Sequence, residues 1–234
     1  MKFRIALICF FSFIYLNGYS QSDVIKIASD VLSAKVDRLG NVYYIDTKNT
    51  LNKYEPKINR ITKYADLKNG KITSIDVSNP LRIVVFYEDQ ASVKFLDINL
   101  TEINSFQIRN NYVEGWISLV ASSNNNGLWM YDNINRKLLK LGEQLNTQFS
   151  TGDLYLILSK KIIPNAIVEF SDELFLCDTT NGIFVFDLFG GYKKSIPYTA
   201  ENFERIVSQN IVHKNTAILL NKSELFYFQK TDRQ

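Results

Sequence analysis

Four acids recur along the chain at nearly even spacing: Asp46, Glu88, Asp132 and Asp178. Carboxylates do general acid–base work, and a glycosidase needs two of them facing each other across a bond. The spacing argues for another role. Each acid closes an apolar run (Val42 to Ile45, Val84 to Tyr87, Leu128 to Tyr131, Leu174 to Cys177) and opens a short polar turn. An acid there accepts hydrogen bonds from the turn backbone. The acids outside this pattern that could line a catalytic mouth are Asp66, Glu114, Asp153, Glu201 and Glu204. His213 is the only histidine, so no histidine pair can hold a metal. Asp97 to Thr101 starts like a calcium loop, but Glu102 replaces the glycine at its sixth place and Ile108 the glutamate at its twelfth. No glycine-rich phosphate loop, nucleophile elbow or zinc-protease motif occurs. The residues therefore predict no catalytic group, no metal and no cofactor, and a chain that is not an enzyme.

The elements that carry these acids are strands. Aromatic residues make up 13% of the 234 residues, with Phe at 16 and Tyr at 13, and Val, Ile and Thr runs are frequent. That composition favours strands over helices. The residues that close the apolar runs stand at 46, 88, 132, 178 and 221, in steps of 42, 44, 46 and 43. Such a step marks a stacked repeat of small units. Each unit reads as four short strands; the first is Val31 to Val36, Val42 to Ile45, Leu51 to Tyr54 and Ile58 to Tyr64. The fifth unit has only Val207 to Val212, Ala217 to Leu220 and Leu225 to Phe228, while Val24 to Ala28 stands surplus at the start. A ring in which this first strand completes the last unit would remove exposed sheet edges. The expected fold is an all-β, five-bladed β-propeller of four-stranded antiparallel blades, closed by the N-terminal strand. Leu154 to Leu158 fits either an inner strand of blade four or an extended connection.

Gly40-Asn41-Val42-Tyr43-Tyr44-Ile45-Asp46-Thr47-Lys48-Asn49 resembles a unit of the NHL and quinoprotein-like propeller repeats. The shared features are a glycine turn, a short aromatic strand, an acid and an asparagine turn. The resemblance implies the propeller architecture and carries no site residues with it, because propellers host many unrelated activities.

In a propeller, the connections from each outer strand to the next inner strand gather on one face. Here they include Arg109 to Gly115 and Pro197 to Arg205, bordered by Trp116. The candidate contact residues are Arg109, Tyr112, Glu114 and Trp116 in one group, and Tyr198, Glu201 and Arg205 in the other. Aromatic and arginine side chains are the usual anchors of protein contacts, and they also suit stacking on sugars. The expected function is a non-catalytic protein-binding or scaffold module. Its alternatives are a lectin-type propeller that binds glycan, and a small glycosidase.

The first residues have a separate purpose. Lys2 and Arg4 precede the apolar run Ile5 to Leu16, and small or polar residues follow as far as Ser20. This is the layout of a secretory signal peptide, too short to span a bilayer comfortably. The expected mature chain, residues 21–234, is one domain, periplasmic or secreted, with no membrane span after cleavage. The leader takes Lys2 and Arg4 from the 27 basic residues, leaving 25 against 24 acids. No basic field remains to attract nucleic acid. The expected partner is a protein of the envelope or extracellular space. Cys177 is the one cysteine of the mature chain and reads as a buried strand residue.

Overall fold

In the computed structural model, residues 30–111 and 115–199 are described, together with the backbone of three further strands, the first of which is β1 (Val24–Ile25). The repeats become four antiparallel sheets in succession. The first holds β2 (Val31–Val36), β3 (Val42–Asp46), β4 (Leu51–Glu55) and β5 (Arg60–Tyr64). The second holds β6 (Ser74–Asp76), β7 (Ile83–Tyr87), β8 (Ser92–Leu96) and β9 (Glu102–Gln107). After helix α1 (Ile108–Asn111), the third holds β10 (Ile117–Ser122), β11 (Leu128–Asp132), β12 (Lys137–Leu141) and β13 (Thr147–Ser150). After helix α2 (Leu154–Leu158), the fourth holds β14 (Ala166–Phe170), β15 (Glu173–Asp178), β16 (Gly182–Asp187) and β17 (Tyr192–Ile196). These sheets are the blades of a β-propeller.

Burial explains why the second strands read as unbroken apolar runs. Every residue of β3, β7 and β11 is buried, because both faces of each blade are covered. Alternation then divides each strand between two neighbours. Leu128 and Met130 pack toward blade two with Val84, Phe86 and Phe95. Trp129 and Tyr131 pack toward blade four with Leu174, Leu176 and Phe186. Each fully buried side chain of this size contributes about 1.5–3 kcal/mol, against about 1 kcal/mol net for a hydrogen bond. Apolar packing between blades is therefore the main cohesion. The outer strands β5, β9, β13 and β17 are mostly exposed, as one-sided strands should be.

Hydrogen bonds between blades set the register of that packing. Lys53 is buried, and its Nζ donates to the Ile98 carbonyl at 2.6 Å, from strand β4 to the β8–β9 turn of the next blade. Lys140 Nζ repeats the bond to the Leu188 carbonyl one blade pair later. Glu169 of β14 accepts from Ser123 Oγ at 2.7 Å, Asn124 N–H at 2.9 Å and the Trp129 indole, all on blade three.

A third pairing system involves the chain ends. β18 (Thr216–Asn221) and β19 (Glu224–Gln229) form a three-stranded sheet with β1, in the order β1-β19-β18. Val24 lies opposite Phe226 and Ile25 opposite Leu225. The expectation of five four-stranded blades is thus corrected: the described residues contain four four-stranded sheets and this one of three. The expected strand Val207 to Val212 falls outside the described residues. Leu154 to Leu158 is neither an inner strand nor an extended connection but the short helix α2.

Candidate functional site

The turn acids behave as frame. Asp178 accepts four hydrogen bonds, from the N–H groups of Ile163, Thr180 and Asn181 and from the Asn181 amide. Burial raises its pKa, but those bonds outweigh it and hold the carboxyl below the usual aspartate range. Asp46 and Asp132 have the same role. Asp46 Oδ1 accepts from the N–H of Lys48 and of Thr50. Asp132 Oδ1 accepts from Trp116, Ile134 and Asn135. The calcium-like run is also a turn, in which Asp97 Oδ1 accepts from Asn99 and Thr101 N–H, each at 2.8 Å. Cys177 is fully buried, and burial pushes its thiol up to about 12, leaving little thiolate to react at neutral pH.

Glu88 departs from this pattern. Its Oε1 accepts from the Trp116 indole at 2.7 Å, across the boundary between blades two and three. Trp116 sits where the β9–β10 connection enters blade three. Its own N–H donates to Asp132 Oδ1 at 3.1 Å, and its carbonyl accepts from Asn133 at 2.8 Å. Gly115 makes this approach possible: its φ is +138°, and a side chain there would overlap the Asp132 carboxylate. The indole is thus fixed at one edge while 37% of Trp116 stays exposed.

The next connection extends the same surface. Asp153 caps α2 by accepting from Tyr155 N–H at 2.8 Å, and it pairs in bidentate fashion with Arg136. The Arg136 guanidinium holds the Asp153 carboxyl below the usual aspartate range. The Arg136 carbonyl also accepts from Leu154 N–H at 2.8 Å. Leu154 is buried and Leu158 packs partly against the same core while Tyr155, Leu156 and Ile157 stay exposed, so the helix is anchored at both ends and presents its middle. Ile134 in the β11–β12 turn is 61% exposed, Leu156 74% and Ile163 70%. Trp116, Ile134, Leu156 and Ile163 thus form an exposed apolar row, a ridge along the connection face of blades three and four, and hydrogen bonds hold their segments to Asp132, Asp153 and Asp178.

Of the residues named from sequence, the structure places three on this face. Trp116 belongs to the ridge. Arg109, in α1, is exposed beside it and donates to the Asp89 carbonyl at 3.4 Å. Tyr198 opens the connection after β17, beside Gly182 of the Asp178 turn, and is half-buried against the cluster of Phe175, Cys177, Ile183 and Val185. Tyr112, Glu114, Glu201 and Arg205 lie outside the described residues. Sequence reading missed α2, whose apolar residues look strand-like. Its signal was Asp153, an N-cap residue directly before the run.

The first strands of the four described blades border an axial channel of about 310 Å³. Lys35 of β2, Asp76 of β6, Val120 of β10 and Ile167 of β14 are in its wall. This cavity also escaped the sequence reading.

No protein-family model matches the sequence, and no curated protein matches it. Solved structures do match in fold. One is a streptogramin B lyase, 16% identical, with a TM-score of 0.53 over 85% of this chain and 62% of that one. Another is a catalytically inactive variant of virginiamycin B lyase from Staphylococcus aureus with quinupristin, 11% identical, with a TM-score of 0.52 over 85% and 66%. The chain spans less than two thirds of the length of either protein. The likeness establishes the β-propeller. It also corrects the expectation that the chain is not an enzyme: propellers of this fold include lyases, so the lack of a recognised motif gives no ground for excluding catalysis.

Proposed function

We propose that this chain is an exported propeller that binds another protein through its connection face. The observation that carries the reading is the apolar ridge of Trp116, Ile134, Leu156 and Ile163, exposed on neighbouring connections and held by hydrogen bonds beneath. Exposed apolar side chains gathered on one face around an aromatic anchor are the usual form of a protein contact. The Arg136–Asp153 pair fixes the ridge before any partner arrives, which lowers the ordering cost of binding. The expected partner is a protein of the envelope or extracellular space with an apolar patch of its own. The leader-like segment Met1 to Ser20 supports export, and native protein beginning near Gln21 would be its direct sign.

A closed five-bladed ring is part of the proposal. Pairing of β1 with β19 supports it, as does the position of β18 beside β2. So does the burial of Val42 and Tyr44 on one side and of Cys177 and Val185 on the other, on blade faces turned away from their described neighbours. Removing Val24 to Ala28 should therefore destabilise the whole domain.

The test of binding is recovery of partner from native membrane and secreted fractions by the full chain and by a Leu156→Asp, Ile163→Asp variant. The variant should lose the partner while keeping its melting temperature. Equal recovery by both would contradict the proposal.

A further inference from the structure

The axial channel reaches the connection face at Thr73 and Asn165 but is lined by none of the ridge residues, and its two charged side chains among the described residues are not equivalent. Asp76 Oδ1 accepts from Ser78 N–H at 2.9 Å and Oδ2 from Ser122 N–H at 2.8 Å. Both oxygens are engaged by the frame, the second across to blade three. Lys35 is exposed to the channel and has no hydrogen bond or ion pair among the described residues. The charge left available is therefore positive. The hydroxyls of Ser33 and Ser74 stand in the same wall, and Ile75, Leu119, Val120 and Ile167 make the rest of it largely apolar.

We propose that this channel binds a small amphiphilic anion, with a carboxylate or sulfonate on Lys35 Nζ and an apolar body against Ile75, Leu119 and Ile167. The volume of about 310 Å³ lies at the lower end of the range for small-molecule pockets, and few polar groups among apolar walls is their usual lining. A metal ion fits poorly, because the Lys35 ammonium would repel it and Asp76 already serves two backbone donors. A neutral apolar ligand would leave the ammonium desolvated and unpaired, which is costly. An anion removes that cost and gains a charge-assisted hydrogen bond.

The test is fluorescence titration of the full chain with anilinonaphthalene sulfonate, an aromatic anion of suitable size. Wild type should show saturable binding at one site, weakened by salt. Lys35→Gln should weaken it by about tenfold or more, as one lost charged contact implies, and Lys35→Arg should restore most of it. Leu119→Trp should block the channel and abolish binding, with the β-sheet circular dichroism unchanged. Leu156→Asp, on the connection face, should leave the titration unaltered. Absence of saturable binding, equal affinity in Lys35→Gln, or loss of binding in Leu156→Asp would each overturn the proposal.

Discussion

The two faces of the propeller are built from the same turn yet differ in what they leave exposed. On the face opposite the connections, Asp37 and Asp187 head five-residue turns of one kind. In each, the acid accepts the N–H two and four residues on, and its carbonyl accepts the N–H three residues on. That third residue is left-handed: Gly40 at φ 84° and Gly190 at φ 76°. The turn is a type I turn with a bulge, and it saturates the local donors. Exposed apolar residues there are single tips, such as Leu39 and Phe189, each second after the acid. On the connection face, Asp46 uses the same turn, with Asn49 left-handed at φ 62°. There the longer links also bring in α2, Trp116 and the ridge. A repeat fixes whatever is repeated, and function has room where the repeat lengthens.

The largest effects should come from the turn acids, and they should be alike on both faces. Asp37→Ala and Asp178→Ala each leave four hydrogen-bond donors without their acceptor at a buried site. Each should cost about 3 kcal/mol in urea denaturation. A silent Asp178→Ala would break the comparison, because the acids of the connection face would then not be frame. Acid should act through the same group. The folded pKa of Asp178 is depressed, so its contribution is complete above the ordinary value of 3.8 and is lost as pH falls through the lower folded value. Asp178→Asn should flatten the acid limb of a stability–pH profile.

A smaller effect separates Glu88 from the other turn acids. Glu88→Gln weakens the bond that holds the Trp116 indole and should cost about 1 kcal/mol. Its clearer sign should be greater quenching of Trp116 fluorescence by iodide. An unchanged quenching curve would place the indole under the control of other contacts. Smaller again is Leu156→Ser, expected within about 0.5 kcal/mol of wild type in stability, since the side chain is 74% exposed. Of similar size should be Ala91→Gly. Ala91 holds φ 45° in the turn after Glu88, and glycine relieves that strain at the cost of a more flexible unfolded chain. A net gain of about 0.5 kcal/mol is expected, read as a shift in the urea midpoint.

The strands of the four blades were legible because period, turn chemistry and burial agree. β2 falls on the residues the sequence predicts, and β3 and β4 each extend theirs by one residue. The roles of Asp46, Asp132 and Asp178 followed from their place in the repeat. Three things were not legible, each for a physical reason. Leu154 to Leu158 has strand-like composition, but the Asp153 cap and the Arg136 clamp override that preference and close a helical turn. Glu88 occupies a turn-acid position, yet its carboxylate reaches an indole 28 residues away on another blade, a contact that no local pattern encodes. The channel is assembled from the edges of four strands spread along the repeats, so Lys35, Asp76 and Ile167 meet only after the blades curve round. Tyr112, Glu114, Glu201 and Arg205 fall outside the described residues.

The most direct test of the difference between the faces is site-specific photo-cross-linking in the native host. A photoreactive residue replaces Leu156 on the connection face in one full-length chain, and Phe189 on the opposite face in another. Both positions are well exposed, so reactivity alone does not favour either. A discrete cross-linked partner from position 156 and none from position 189 is the predicted result. The same adduct from both positions, adducts from position 189 alone, or none from either would contradict it.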